Sequence, residues 1–186
     1  MTVYGSKLNI VVNDTLEKIY DQTTFNISDI TWALQETLPQ GYTLVVKESN
    51  ITDFVNVGLH DYKVLFDVLD DNNQVITDQF IFENIDNDGY YHSTLNIKQK
   101  EVVINLNDIE KTYDGNEVLF KDVTFAQEGL LENNEFVITS FIDETATYLY
   151  ANTYEYNVLY DIIYNGADVK DNYKVTIENA TITINK

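Results

Sequence analysis

The sequence predicts a mostly β protein built from two tandem modules, residues 1–99 and residues 100–186. The first observation is an internal repeat, in which residues 61–68 return as residues 155–162 and other matching segments follow in the same order. The second is an abundance of aromatic and β-branched residues, including 14 Tyr and 9 Phe, which favours strands. Matching segments at a nearly constant offset are the signature of a repeat protein.

Each module is expected to open with an apolar strand, at residues 8–12 and at residues 102–106, because β-branched residues dominate both runs. A turn follows at Asp114 and Gly115, since an Asp-Gly pair readily takes positive φ. Gln22 stands where Gly115 stands in the other copy, so we expect the first turn to close differently. Apolar patterning predicts the other strands at 24–25, 42–46, 62–69, 79–82, 93–97, 118–120, 136–142, 154–164 and 174–185.

One short helix is predicted in each module. Asp29 can cap a segment that carries Leu34 and Leu38 on one face, and Pro39 ends it. Residues 122–131 give the matching segment, although a glycine interrupts it. Strands around one helix, with the first and last strands parallel and side by side, describe a β-grasp-like module. An immunoglobulin-like β-sandwich is the alternative.

The two modules are expected to be joined end to end. Residues 97–102 run from the last strand of one module into the first strand of the next, without Gly, Pro or Ser. Because flexible linkers are rich in those residues, this short join predicts a stiff connection between neighbouring repeats.

Composition excludes several classes of partner. The net charge is −20, shared by both modules, and all 11 basic residues are Lys. An acidic chain without Arg is repelled by phosphate backbones, so we expect no nucleic-acid partner. The absence of Cys excludes disulfides and thiolate chemistry. No apolar run is long enough to span a bilayer, so no membrane insertion is expected.

Several short motifs lie at corresponding ends of the second module: Lys-Thr-Tyr-Asp-Gly at 111–115, Gly-Ala-Asp at 166–168, Asn-Tyr at 172–173 and Ala-Thr-Ile-Thr-Ile at 180–184. Together they resemble the YDG/MBG-type repeat modules of bacterial cell-surface adhesins. The first module keeps Lys-Ile-Tyr-Asp at 18–21 but lacks the glycine and the Gly-Ala-Asp stretch, so it resembles a divergent copy.

The resemblance implies an extracellular, cell-wall-attached protein of a Gram-positive bacterium, with no catalytic residues and no fixed ligand. We therefore predict that the chain is not an enzyme, and that it is a structural stalk or spacer whose partners are neighbouring repeats. The alternative is an adhesive module that binds host glycan, mucin or matrix protein. The signal and the anchor are expected elsewhere in a longer protein.

Two arrangements of side chains are candidates for a metal. Asp86 and Asp88 lie in an acidic turn with oxygen atoms at alternate positions, as in the first half of an EF-hand loop, which predicts a loose calcium site that Asp70 or Asp71 could complete. A plain acidic turn is the alternative reading. His60, His92 and Asp61 are a second metal hypothesis, set against the simpler reading of solvent-facing strand residues. No cofactor other than calcium is expected.

A row of tyrosines is the candidate ligand face. Tyr154, Tyr156 and Tyr160 share one face of a strand by period two, and such rings can stack on sugars. Cross-strand packing within a sheet asks for the same residues at the same spacing, and is the alternative. Trp32 is expected to anchor the core of its module, because Phe125 replaces it in the second copy.

An isopeptide crosslink between Lys and Asn is a further candidate, because the repeat places a Lys near one strand and an Asn near another. Lys18 and Lys111 precede the two turns, while Asn96 and Asn185 lie near the last strands. Parallel strands would bring these pairs close together. A solvated Lys in each turn is the alternative.

Overall fold

The computed structural model describes residues 5–12, 16–143 and 145–186, and it is mostly β. The chain divides into two compact units, Met1–Lys98 and Gln99–Lys186. The first unit contains β1 (Ser6–Leu8), β2 (Ile10–Val12), β3 (Glu17–Ile19), β4 (Trp32–Leu34), β5 (Thr43–Ser49), β6 (Gly58–Leu69), β7 (Phe80–Phe82) and β8 (Tyr90–Lys98). The second contains β9 (Lys100–Leu106), β10 (Ile109–Thr112), β11 (Phe125–Glu128), β12 (Asn134–Phe141), β13 (Thr153–Tyr156), β14 (Val158–Tyr164), β15 (Ala167–Asp168), β16 (Tyr173–Glu178) and β17 (Ala180–Asn185).

The first unit divides its strands among three sheets. A four-stranded sheet has the order β3-β8-β6-β5, with β3 parallel to β8 and the other pairs antiparallel. Two small sheets complete the unit: β1 pairs with β7 in parallel, and β2 pairs with β4 antiparallel. Strands β1 and β2 are separated by Asn9 alone, so one stretch of chain serves both small sheets.

The second unit repeats most of these pairings, and it adds β15 antiparallel to β14. Strand β9 pairs in parallel with β16 and antiparallel with β11, as β1 and β2 do with β7 and β4. Strand β10 runs parallel to β17, as β3 does to β8. Strands β13 and β14 together take the place of β6, pairing with β17 and β12. The repeat in the sequence is therefore also a repeat of topology.

A β-bulge recurs at the corresponding place in both units. The register of β5 against β6 shifts between Val46 and Glu48, and that of β12 against β14 shifts between Ile138 and Ser140. An extra residue in one strand bends it and increases its twist. The shared bulge fixes which residues of the two copies are equivalent.

The core of each unit follows from strand alternation. Tyr62 and Val64 in β6 are buried, and so are their equivalents Tyr156 and Val158. Residues of one strand that are two positions apart face the same side of the sheet, and the intervening residues are exposed or half-buried. The last strands contribute in the same way, through Leu95, Ile97, Ile182 and Ile184.

The predicted helices are wrong. Among the described residues the helical elements are single 3-10 turns, Ile27–Asp29, Thr77–Gln79, Phe120–Asp122 and Lys170–Asn172. Asp29 does not start a helix, because its carboxylate accepts the backbone N–H of Asn26, three residues before it, at 2.8 Å. The following Trp32–Leu34 segment pairs with β2 instead. The helix of a β-grasp module is thus missing from the part of the chain that the structure describes.

Two long predicted strands are each interrupted by an Asn. The strand predicted at 154–164 breaks at Asn157, and the one predicted at 174–185 breaks at Asn179. The side-chain amide of Asn157 donates to the side-chain oxygen of Asn179, and the Asn157 side-chain oxygen accepts the Val158 N–H at 2.7 Å. The first contact links the two break points, and the second satisfies the backbone N–H of Val158 where β14 begins.

The second strand of each module lies earlier than predicted. Glu17–Ile19 and Ile109–Thr112 form it, whereas Phe25 makes only an isolated bridge with Phe54. No helix among the described residues is both long and apolar enough to cross a membrane.

Candidate functional site

A cleft of about 480 Å³, lined by both apolar and polar side chains, lies in the first unit between β4 and β5. These strands are the edges of two different sheets, so the cleft has an open strand edge on either side. Its apolar lining comes from both strands, from the loop that joins them and from β6: Trp32, Ala33, Leu34, Leu38, Tyr42, Leu44, Val46 and Phe66. Most of these side chains are half-buried rather than buried, which leaves apolar surface accessible in the cleft.

The second unit fills the corresponding position with an aromatic ring. The bulge alignment makes Phe136 the equivalent of Leu44. Phe136 is buried, stacks on Tyr160 with ring centroids 4.8 Å apart, and meets Phe125 edge to face at 5.0 Å. In the first unit Trp32 and Phe66 take the places of Phe125 and Tyr160, and their rings contact each other directly at 5.0 Å. Leu44, a smaller side chain than Phe136, is half-buried and lines the cleft together with this pair.

One carboxylate lies at the cleft. Glu36 accepts the backbone N–H of Asn9 at 2.7 Å and the Asn9 side-chain amide at 3.0 Å. The hydrogen bond from the Asn9 side chain is the main cause that lowers the pKa of Glu36, so this group is charged at neutral pH. The cleft lining contains no Lys. The indole Nε1 of Trp32 is buried and has no hydrogen-bond partner within the described ranges.

The proposed tyrosine face turns out to be largely internal. Tyr156 is only 3% exposed, and its hydroxyl donates to the carbonyl of Asn107 at 2.6 Å. Burial, with a smaller contribution from Asp108, raises the pKa of Tyr156 to about 12. Tyr154 and Tyr160 are half-buried, and Tyr160 is stacked on Phe136. The prediction that Tyr156 presents a face to sugars is therefore wrong, because period-two alternation points it into the core.

The carboxylate of Asp86 is engaged in closing its own turn. One oxygen accepts the backbone N–H groups of Asp88 and Tyr90, both at 2.9 Å. The other lies 2.7 Å from Nε2 of His92, and this hydrogen bond is the main cause that lowers the pKa of Asp86. Within residues 5–12, 16–143 and 145–186, no group of three or more His, Cys, Asp or Glu side chains is placed to hold a metal ion.

Asp61 and His92 line the same pocket on one face of the four-stranded sheet, but His60 does not converge with them. His60 and Asp61 are consecutive in β6, so their side chains leave opposite faces of the sheet. The His60 ring stacks on Phe54 at 4.8 Å, and its Nε2 lies 2.7 Å from the carbonyl of Asn56. The metal site proposed for these residues is not assembled.

Asp side chains close turns throughout the molecule in one recurring way. In six turns of the described part of the chain, an Asp Oδ1 accepts the backbone N–H two residues later, an arrangement that fixes the turn locally. The residues are Asp21, Asp70, Asp86, Asp114, Asp143 and Asp168. Part of the strong acidity of the chain thus has a structural role.

The repeated Lys residues also close turns. Lys111 donates to the carbonyl of Asn116 at 2.9 Å, and Lys18 donates to the carbonyl of Thr23 at 2.6 Å. Gln22 takes a φ of +67°, close to the +78° of Gly115, so the expectation that the first turn closes differently is wrong.

The strand register separates Lys from Asn in both units. Lys111 is opposite Ile184, whereas Asn185 is opposite Thr112. In the first unit Lys18 is likewise opposite Ile97, and Asn96 is opposite Glu17. Partners in a parallel pair share a face and adjacent residues do not, so each Lys and Asn lie on opposite faces. This geometry excludes the isopeptide crosslink considered for these residues.

Sequence reasoning missed the cleft. It assigned Trp32 to a core helix and did not compare Leu44 with Phe136, since their equivalence becomes clear only from the shared bulge. The signal in the sequence was a Phe in one copy and a smaller Leu in the other, at a position where strand alternation predicts a buried side chain.

Comparison with models of known protein families, with curated proteins and with solved structures finds no significant match for this chain.

Proposed function

We propose that the chain is part of the repeat region of a bacterial cell-surface adhesin, attached to the cell wall of a Gram-positive organism, where it acts as a structural stalk or spacer. The observation that carries this proposal is the parallel pairing of an early strand with the last strand in each unit, β3 with β8 and β10 with β17. The role requires no catalytic residue and no cofactor.

Parallel pairing near the two ends of a unit suits a protein that bears tension. Strands β10 and β17 run in the same direction, so a pull on the ends of the unit draws them past each other along their length. Their hydrogen bonds are then loaded together rather than one at a time. The ladder extends from Ile109–Ile182 to Thr112–Asn185, and the N–H of Tyr113 adds a bond to the carbonyl of Asn185 at 2.8 Å.

For the fold of each unit, we propose the immunoglobulin-like β-sandwich rather than the β-grasp. The division of antiparallel strands between separate sheets supports it, as does the buried face that alternation gives to β6, β8, β14 and β17. The short 3-10 turns do not provide the helix that a β-grasp module packs on its sheet.

Single-molecule pulling of the whole chain from its two ends tests the stalk proposal. We expect two separate unfolding events at high force. Tyr113→Pro removes the N–H that bonds to Asn185 and should lower the force of one event. Thr112→Pro is the matched control, because alternation turns its N–H away from β17. Unfolding at low force, or equal effects of the two substitutions, would count against a mechanical role.

The second candidate function is an adhesive module that binds host glycan, mucin or matrix protein. The cleft between β4 and β5 favours it, since a spacer has no use for accessible apolar surface that its sister unit fills with Phe136. Binding of the whole chain to arrays of glycans, mucins and matrix proteins tests this role. Retention of any of these by the wild type and loss in a variant with a filled cleft would establish it.

A further inference from the structure

We propose that the cleft in the first unit binds an extended, basic segment of a partner protein, which adds as a strand to an open sheet edge and places apolar side chains between β4 and β5. The proposal narrows the adhesive function above to one class of ligand, and it is independent of the stalk role.

The edge strands beside the cleft carry backbone groups that pair with no other described strand. In the described part of the chain, β4 has β2 as its only strand neighbour and β5 has β6. The N–H of Gln35 donates to the carbonyl of Asn9 at 2.9 Å. Because bonding alternates along an antiparallel ladder, Ala33 also turns its N–H and C=O toward β2. Trp32 and Leu34 therefore turn theirs toward the open edge, where a peptide strand finds donors and acceptors already extended.

The shape and lining of the cleft give the second argument. A volume of about 480 Å³ accommodates a few side chains rather than a folded domain. Leu34, Leu44 and Val46 contribute aliphatic groups from both strand edges. A strand added to one edge sends alternate side chains to one face, so a peptide with apolar residues at every second position places them in the cleft.

Charge selects among such peptides. The chain carries a net charge of −20, the cleft lining includes the ionised Glu36, and no Lys lines it. An acidic peptide is repelled by this field, whereas Lys or Arg at the outward positions of the peptide is attracted. The Trp32 ring is packed edge to face against Phe66, Tyr62 and Tyr91, and this internal packing disfavours its use as a platform for a sugar.

The second unit provides an internal comparison. It has edge strands β11 and β12 at the corresponding places, but the larger, buried Phe136 takes the place of the half-buried Leu44. We therefore expect the second unit not to bind the peptide, so that it serves as an internal control for the proposed site in the first unit.

The test uses the whole chain and synthetic eight-residue peptides in which Val or Leu alternates with Thr or Lys. We expect saturable binding by isothermal titration, with amide shifts in nuclear magnetic resonance confined to β4, β5 and the loop between them. Peptides with Glu in place of Lys should bind ~10-fold more weakly or not at all. Peptides N-methylated at the backbone nitrogens that face the protein strand should also lose binding, because N-methylation removes the N–H groups that would donate hydrogen bonds to that strand.

Two reciprocal substitutions separate the cleft from general folding. Leu44→Phe should fill the cleft and weaken binding by ~10-fold or more, while amide spectra and Tm show a folded chain. Phe136→Leu should create a second binding site in the other unit, a gain that unfolding cannot imitate. Val46→Lys, at a more exposed position of the lining, is a further variant that should repel the basic peptide without disturbing the core.

The outcomes are distinct. The absence of binding to every peptide, equal binding by Leu44→Phe, or shifts confined to the second unit would overturn the proposal. Binding of glycans or mucin carbohydrate without peptide binding would overturn it too, while leaving the broader adhesive role in place.

Discussion

The ammonium of Lys111 lies 2.9 Å from the carboxylate of Asp114, in the turn that carries the most recognisable motif of the second unit. The same carboxylate accepts the backbone N–H of Asn116 at 2.9 Å. These contacts, the hydrogen bond from Lys111 first, lower the pKa of Asp114 to about 2. Lys18 and Asp21 form the equivalent pair at 2.8 Å. The motif is therefore explained by the closure of a turn.

Removing the ammonium should release the Asp114 carboxyl. We expect Lys111→Met to raise the pKa of Asp114 toward its unperturbed value of about 3.9, measured by following the carboxyl carbon with pH in nuclear magnetic resonance. Because the folded pKa is lowered, the stabilisation is present above about pH 4 and is lost as the pH falls toward about 2. The variant should therefore lose less stability over that acid range than the wild type.

Lys174→Met is the control for this experiment. Lys174 pairs with Glu101 at 3.0 Å, but both side chains are well exposed and belong to strands rather than to the turn. It should leave the pKa of Asp114 unchanged. A pKa that stays near 2 in Lys111→Met would show that the hydrogen bonds from Asn116 are sufficient to set it.

Tyr156→Phe should destabilise the second unit by about 1 kcal/mol, because it removes a hydrogen bond from a buried hydroxyl to the carbonyl of Asn107. Urea denaturation monitored by fluorescence or circular dichroism would measure the change. Tyr154→Phe is the control, since its hydroxyl bonds to the carbonyl of Tyr150 near solvent. An equal effect of the two substitutions would contradict the assigned role of Tyr156.

Alkaline titration should report the same tyrosine. The folded pKa of Tyr156 is about 12, above its unfolded value of about 10. Its contribution to stability is therefore fully present below about pH 10 and disappears as the pH rises toward about 12. When tyrosinate absorbance is followed with rising pH, we expect the step at the highest pH to be absent from Tyr156→Phe.

Gly129→Ala should destabilise the second unit far more than Gly115→Ala. Both glycines have positive φ, +89° and +78°, so each substitution costs about 1–2 kcal/mol in backbone strain. A Cβ at Gly129 would also lie 2.5 Å from the carbonyl oxygen of Glu101, whereas a Cβ at Gly115 meets nothing within 4 Å. The difference in Tm between the two variants measures this close approach of loop and strand.

The alternation of apolar and polar residues predicted most of the strands, but it did not predict the breaks in two strands that occur at Asn residues. The strands of the core were predictable because Tyr62, Val64, Tyr156 and Val158 alternate with polar residues, and that alternation does not depend on distant partners. The breaks at Asn157 and Asn179 were not predictable, because they depend on a contact between side chains far apart in sequence. The predicted helix failed because Trp32–Leu34 gains a strand partner in β2.

The candidate site was less predictable than the fold. A row such as Tyr154, Tyr156 and Tyr160 has the same spacing whether it lines a core or a surface, so sequence alone does not separate the two. The cleft is unfilled space beside the Leu44 side chain. It is recognised only by comparison with the other unit, where the larger, buried Phe136 takes the place of Leu44.

Calcium should leave the stability of the chain unchanged. The two oxygens of Asp86 already accept the N–H groups of Asp88 and Tyr90 and contact His92, so a cation would have to displace these bonds. Calcium needs six to eight oxygen ligands, and the described residues bring no such group of carboxylates together. We expect equal Tm values with excess calcium and with a chelator. A rise in Tm with calcium that Asp88→Asn abolishes, while Asp171→Asn in the other unit does not, would instead establish a site in this turn.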